Sequence, residues 1–290
     1  MPAIVVEKLR KNYGSTPAVK DISFTVNEKE IFGFVGPNGA GKSTTIRVLL
    51  NFIFATEGKA EINGMDCVVD AKKIRTVTSY VPSDVRMYGD MKISEILNYH
   101  SKFYVKDQSA EQKRLCELFG VDEQKRFREL STGNKKKVSL VCALSSKPKV
   151  LILDEPTSGL DPMVQKDLFQ ELKRQAADGM AILLSSHNLA EVQEYCDRVA
   201  FIRSGEIISI SELAAMNRES KKVITIYGGK EIPSGFELLE QQDDKRILRT
   251  NADGVTLLDL LYQIEPASFT VEKEKIEDQF MKLYRKEEIR

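Results

Sequence analysis

Residues 36–43 read Gly-Pro-Asn-Gly-Ala-Gly-Lys-Ser. They satisfy G-x-x-x-x-G-K-[ST], a loop whose backbone N–H groups cradle phosphates. No other stretch constrains the fold as much, because this loop works only between a buried strand and the start of a helix. Both flanks are present. Ile31 to Val35 (IFGFV) is an apolar run of strand length, and Lys42 onward (KSTTIRVLLNFIF) reads as a helix. At a helix N-terminus, unpaired N–H groups and the helix dipole both favour anions. Gly36, Gly39 and Gly41 let the chain bend around a phosphate without Cβ clashes. Lys42 is placed to neutralise the outer phosphates and the Ser43 hydroxyl to ligate Mg²⁺. The expected phosphate-binding set is Gly36, Pro37, Asn38, Gly39, Ala40, Gly41, Lys42, Ser43 and Thr44.

The loop alone leaves the chemistry open. Val150 to Leu153 (VLIL) is an apolar run that ends in Asp154 and Glu155. It reads as a buried parallel strand covered on both faces. The C-terminal end of such a strand is where open α/β sheets place ligands. Asp154 is then a Mg²⁺ ligand, acting through water, since Mg²⁺ keeps most of its waters. Glu155 is placed to orient or activate an attacking water. The competing reading is an acidic pair opening the Pro156 turn. Taken alone the two readings are even; the phosphate loop favours the functional one.

Leu130-Ser131-Thr132-Gly133-Asn134 precedes a helix-like run, KKKVSLVCALSS. A Ser and a Gly at a helix start make a second anion site. Two phosphate cradles in one chain make sense if the second serves a nucleotide held by another copy. The plainer reading is a helix cap followed by three solvated lysines. Lys135, Lys136 and Lys137 oppose the helix dipole, and at least one of them is expected to face solvent.

The phosphate loop, LSTGN, VLILDEP, SGLD (158–161) and SSH (185–187) together resemble the nucleotide-binding subunit of an ATP-binding-cassette (ABC) transporter, in that family's order and spacing. The likeness covers roughly residues 1–215 and is closest to ATPase subunits of bacterial drug, bacteriocin and antibiotic-resistance exporters. It implies ATP and Mg²⁺ as ligands and ATP hydrolysis. It also implies a head-to-tail pair of identical or closely homologous subunits, and a separate membrane permease. By this resemblance Ser131 and Gly133 contact the γ-phosphate of the opposite subunit's ATP, and Asp161 reports across the dimer. His187 contacts the γ-phosphate and helps hold the attacking water, and Tyr13 stacks on adenine. Stacking tolerates any base, so Tyr13 does not select ATP over GTP. Thr132 and Asn134 depart from the commoner LSGGQ spelling. Pro82-Ser83 departs further, since most relatives carry Gln at position 83 as a Mg²⁺ ligand. Ser83 is shorter and reaches a metal only through water, and Asp84 is a substitute. Other cassette ATPases act on ribosomes or DNA, and a nucleotide-gated switch with little turnover is a further alternative. A single cassette, the absence of long coiled coils, and the presence of Glu155 and His187 weigh against these.

Composition narrows the partners. Basic and acidic residues balance at 43 each, so there is no global electrostatic case for nucleic acid. Four cysteines (Cys67, Cys116, Cys142, Cys196) are scattered without C-x-x-C pairs, which argues against zinc and for a reducing cytosol. No secretory signal and no apolar run of membrane-spanning length is present. The resemblance to a transporter subunit then implies a peripheral location on the cytoplasmic face of the membrane, with another polypeptide supplying any channel.

The expected fold class is α/β. A P-loop NTPase core with a parallel sheet carries an N-terminal antiparallel β-subdomain, a helical insert and a small C-terminal α+β appendage. Residues 1–30 read as short antiparallel strands, and 31–82 and 145–210 alternate strands and helices as in a parallel sheet. Residues 90–143 are helix-like, and Val85 to Met91 link that insert to the core. In relatives this link grips a cytoplasmic helix of the permease. The cassette is expected to span 1–215 and the accessory domain 216–290. In the latter, strands are expected near Val223–Tyr227, Arg246–Thr250 and Ser268–Glu272. Helices are expected at Val255–Ile264 and Glu274–Lys286, the last with Ile276, Phe280, Leu283 and Tyr284 on one face.

Overall fold

The computed structural model describes residues 2–104, 107–219 and 221–274. Strands β1 (Pro2–Tyr13) and β2 (Thr16–Asn27) form an antiparallel hairpin whose last pair is Tyr13 with Thr16. One face of the hairpin buries Ile4, Val6, Leu9, Val19, Ile22, Phe24 and Val26. Strand β3 (Ile31–Val35) is buried along its whole length, as a continuous apolar run requires. The phosphate loop follows, and helix α1 runs Lys42–Leu49. This helix is shorter than KSTTIRVLLNFIF suggests. Asn51 takes a left-handed φ of 54° and ends it, leaving Phe52 and Phe54 exposed.

The next two strands correct the sequence reading. β4 (Glu57–Ile62) and β5 (Met65–Asp66) do not enter the parallel sheet. They extend the hairpin into a four-stranded sheet of order β2-β1-β4-β5. The reason lies in their residues. EGKAEI buries only alternate positions (Ala60 and Ile62), the pattern of a half-exposed strand. Asn63 and Gly64, both at positive φ, then close a tight hairpin.

Helix α2 (Ala71–Val77) leads into β6 (Thr78–Val81). Three helices follow, α3 (Ile93–Ser101), α4 (Ser109–Phe119) and α5 (Thr132–Ser145). The chain then alternates β7 (Val150–Asp154), α6 (Pro162–Ala177), β8 (Ala181–Ser186), α7 (Leu189–Tyr195) and β9 (Arg198–Arg203), closing with β10 (Glu206–Glu212). The large sheet has order β10-β9-β3-β8-β7-β6 and is parallel except for β10, which pairs antiparallel with β9.

The chain divides into two compact units after Glu212. The second unit holds α8 (Leu213–Glu219), β11 (Lys222–Tyr227), β12 (Glu237–Gln242), β13 (Lys245–Thr250), α9 (Gly254–Ile264) and β14 (Ser268–Lys273). Its sheet is antiparallel, of order β12-β13-β11-β14. Ile224, Ile226 and Leu248 pack under Leu257, Leu261 and Ile264 of α9. Asp253 caps α9 by accepting from the Thr256 amide at 2.8 Å. β12 has no counterpart in the sequence reading. All six of its residues are exposed, so neither alternation nor an apolar run marks it. The expected helix at 274–286 lies outside the described residues, apart from Glu274, which is not helical. Among the described residues, no helix is long and apolar enough to cross a membrane.

Candidate functional site

Strand register builds the site. In the parallel sheet Val35 pairs with Ser186, and Asp154 with Ser185. The C-terminal ends of β3, β7 and β8 therefore lie side by side. The residues that leave them, Gly36, Glu155 and His187, are brought to one edge. This is the edge where open α/β sheets bind ligands.

The loop residues divide by exposure. Pro37, Asn38 and Gly39 are exposed, Gly36, Ala40 and Gly41 are buried, and Ser43 and Thr44 are half-buried at the start of α1. Gly41 caps the helix at a left-handed φ of 109°, and a Cβ there would lie 2.7 Å from the Ala18 carbonyl oxygen of β2. Both facts require glycine. This close approach sets the loop beside β2, the second strand of the hairpin whose turn follows Tyr13. Tyr13 is 47% exposed, with the Lys11 ammonium 5.3 Å from its ring centre.

Lys42 is buried, and its Nζ donates to the carbonyls of Gly36 (2.7 Å) and Pro37 (3.1 Å). Burial lowers its pKa, opposed by the carboxylates of Glu155 and Asp154. Glu155 Oε1 lies 3.8 Å from Lys42 Nζ and 3.4 Å from His187 Nδ1. The carboxylate thus stands between a cation and an imidazole at the mouth of the loop. Asp154 is buried (2% exposed) and accepts a hydrogen bond from Ser185 Oγ at 2.5 Å. Glu155 has an unusual backbone, with φ at 49°. Its amide donates to both the carbonyl and the hydroxyl of Ser185, at 3.1 and 3.2 Å.

A second cluster gathers at the start of α5. Ser131 caps this helix, its Oγ accepting from the Asn134 amide at 3.3 Å. Gly133 lies against Gly159; a Cβ on Gly133 would fall 2.2 Å from the Gly159 carbonyl oxygen. Asp161 caps α6 through the Val164 amide (3.0 Å) and lies 3.7 Å from Lys137 Nζ. The hydrogen bond from Val164 is the main cause that lowers the Asp161 pKa. Among the described residues no hydrogen bond joins Ser131 or Gly133 to residues 36–43. Within one chain there are therefore two clusters.

Of the three lysines after Asn134, Lys135 and Lys137 are half-exposed and Lys136 is buried. Lys135 lies over the Phe127 ring at 5.5 Å, and Lys137 reaches Asp161. Lys136 is 1% exposed and donates to the carbonyls of Pro82, Ser83 and Glu155. The Ser83 side chain is exposed. Sequence reasoning missed Ser185 and Lys136. Ser185 carried a signal, a polar residue ending an otherwise apolar buried strand beside the carboxylate strand. Lys136 carried one in its helical spacing to Leu140 and Ala143, both buried.

The residues present fit a nucleotide and Mg²⁺. Lys42, buried and hydrogen-bonded to loop carbonyls with the Glu155 carboxylate 3.8 Å away, can turn its ammonium to phosphate oxygens. The Ser43 hydroxyl and the Asp154 carboxylate are hard oxygen donors of the kind Mg²⁺ takes.

Comparison with known proteins agrees with this chemistry. The family model described as ABC transporter matches residues 19–158. The linearmycin resistance ATP-binding protein LnrL of Bacillus subtilis is 33% identical over 70% of this chain and 67% of its own length. The probable multidrug ABC transporter ATP-binding protein YbhF of Escherichia coli is 32% identical over 71% of this chain, which spans only 36% of YbhF. A solved ATP-binding subunit of an ABC transporter superposes with a TM-score of 0.71 at 29% identity, covering 75% of this chain and 92% of that one. The chain belongs to the ABC transporter family and carries its ATP-binding, ATP-hydrolysing cassette.

Proposed function

We propose that this chain is the ATP-driven motor subunit of a membrane exporter. The observation that carries the catalytic part is the placement of Glu155 between Lys42 and His187 at the ends of β7, α1 and β8. In this reading Lys42 exchanges its loop carbonyls for the β- and γ-phosphate oxygens of ATP. Glu155 accepts a proton from the water that attacks the γ-phosphorus, and His187 orients that water and the γ-phosphate. Mg²⁺, held by Ser43 and Asp154, supplies charge neutralisation at the phosphates when bound. Tyr13 stacks on adenine at the hairpin end.

Two copies, or this chain and a close homologue, pair head to tail. Each ATP then lies between the phosphate loop of one and Ser131 and Gly133 of the other, with Asp161 facing the opposite loop. The separation of the two clusters within one chain supports this reading. Nucleotide binding closes the pair and hydrolysis opens it, a ligand-driven shift between two states. Residues 1–215 act as the cassette and 216–290 as an accessory unit.

The permease is gripped in a cavity of about 210 Å³ lined by Met87, Tyr88, Met91, Tyr99 and Phe103. Tyr88 and Phe103 are 67% and 69% exposed there. Adaptable Met and aromatic surface suits a helical partner. The chain then sits peripherally on the cytoplasmic face of the membrane and needs no nucleic acid. Relatives named for multidrug transport and linearmycin resistance support the export direction.

The test uses tagged Glu155→Gln protein, recovered from detergent-solubilised membranes with ATP and Mg²⁺ and weighed by light scattering. Co-purification of a polytopic membrane protein and an ATP-dependent doubling of mass are expected. A monomer under all conditions, or recovery of ribosomes with no membrane protein, would overturn the proposal.

A further inference from the structure

Lys136 points inward from α5, and its ammonium donates to three main-chain carbonyls: Pro82 at 2.8 Å, Ser83 at 2.8 Å and Glu155 at 3.3 Å. An ammonium has three donors and no acceptor, so the group is satisfied. Burying a charge is costly unless it is paired and hydrogen-bonded. A side chain needed only to fill the space beneath α5 would be Leu or Met. Burial lowers the Lys136 pKa, opposed by the carboxylates of Asp154, Glu155 and Asp84.

The three carbonyls belong to two segments that α5 otherwise lies apart from in sequence. Pro82 and Ser83 leave β6 and lead into the loop ahead of α3; Glu155 leaves β7. Glu155 is held in the left-handed region at φ 49°, which a non-glycine residue rarely adopts without support. Support comes from both sides of the residue. Ser185 accepts from its amide, and Lys136 donates to its carbonyl. Ser83 has no long side chain with which to link its loop to the catalytic strand end. Lys136 makes that link through the backbone.

We propose that Lys136 is a positioning residue whose ammonium locks the backbone of Glu155 to the 82–83 turn, so that the carboxylate is aimed by the joint position of α5 and the loop leading to the helical insert. The proposal rests on the reading of Glu155 as the base for hydrolysis. Movement of the insert would then alter turnover through Lys136, with little change in nucleotide affinity.

The test compares full-length Lys136→Met, Lys136→Arg and Lys136→Gln. It reads steady-state hydrolysis, affinity for a fluorescent ATP analogue, and amide hydrogen exchange at residues 83–91 and 155–158. Lys136→Met is expected to lower kcat at least about 20-fold while the nucleotide Kd stays within about threefold. Exchange at 83–91 speeds up, and Lys136→Arg restores kcat to within about fivefold. Gln offers two donors and a shorter reach, so Lys136→Gln falls between Met and Arg and decides the matter if Lys136→Met does not fold. Turnover within about twofold of wild type in Lys136→Met or Lys136→Gln overturns the proposal. So does a parallel loss of kcat and affinity with unchanged exchange at 83–91. Glu155→Gln is run alongside. If it hydrolyses ATP normally, the reading of Glu155 fails. If it is inactive while Lys136→Met is not, only the positioning role fails.

Discussion

Ser185 donates its hydroxyl to Asp154 at 2.5 Å across the parallel pair β7–β8, and the same oxygen accepts from the Glu155 amide at 3.2 Å. One serine thus serves both acidic residues. The bond to Asp154 is charge-assisted and buried, the stronger kind. Ser185→Ala leaves a carboxylate oxygen without its partner, at a cost of about 1–3 kcal/mol. Chemical denaturation at neutral pH should show that loss, and isothermal titration should show weaker Mg²⁺–ATP binding. Stability equal to wild type would mean that water replaces the hydroxyl at no cost.

Gly133 matters first for space. A Cβ would meet the Gly159 carbonyl oxygen at 2.2 Å, well inside any allowed contact. Gly133→Ala must push the 158–161 loop away, costing about 1–3 kcal/mol as overpacking does and displacing Asp161. Hydrolysis should drop with nucleotide affinity of the isolated subunit unchanged. Gly254→Ala is the control, since nothing lies within 4 Å of a Cβ there; its melting temperature should stay at or slightly above wild type.

The stability of the helical insert should depend on pH through His100. Burial lowers its pKa below 6.5, opposed by a hydrogen bond with Gln108. Between the lowered folded value and 6.5, the unfolded chain binds more protons than the native one. Stability therefore rises with pH through that window and is flat above it. Urea midpoints taken from about pH 5 to 7.5 should climb in wild type, and His100→Leu should flatten the climb. An unchanged slope in His100→Leu would assign the dependence to other groups.

Ser83 stands exposed at the position where the family resemblance leads one to expect Gln, and its carbonyl is engaged by Lys136. A metal contact from its short side chain needs an intervening water. Ser83→Gln should therefore tighten the Mg²⁺ dependence of hydrolysis, lowering the half-maximal concentration by about threefold or more. Identical Mg²⁺ titrations and turnover would argue against a role for this position in metal sensing.

The strands buried on both faces are the most plainly legible parts of the fold. IFGFV, VLIL and AILLSS read as strands because a parallel sheet covered by helices leaves no polar alternation. β4 and β5 are misplaced when strand–helix alternation is extended across 31–82, while the burial of only Ala60 and Ile62 and the Asn63-Gly64 turn point to a hairpin. β12 is exposed throughout and carries no periodic signal. In the site, Lys42, Asp154, Glu155 and His187 can be named because the motifs spell them. The partners that hold them cannot. Ser185 acts through strand register, and Lys136 hides in a lysine triplet that looks solvated until helical spacing is counted from Leu140.

The most direct test is ATP turnover by Glu155→Gln, measured together with ATP affinity. Removing a general base costs about 10²–10⁴-fold in rate, while the phosphate contacts of Lys42 and the loop remain. The expected result is hydrolysis at least about 100-fold slower than wild type with an ATP Kd within about threefold. Hydrolysis within about tenfold of wild type would remove Glu155 from the chemistry, and with it the arrangement of Lys42, Glu155 and His187 as the catalytic centre.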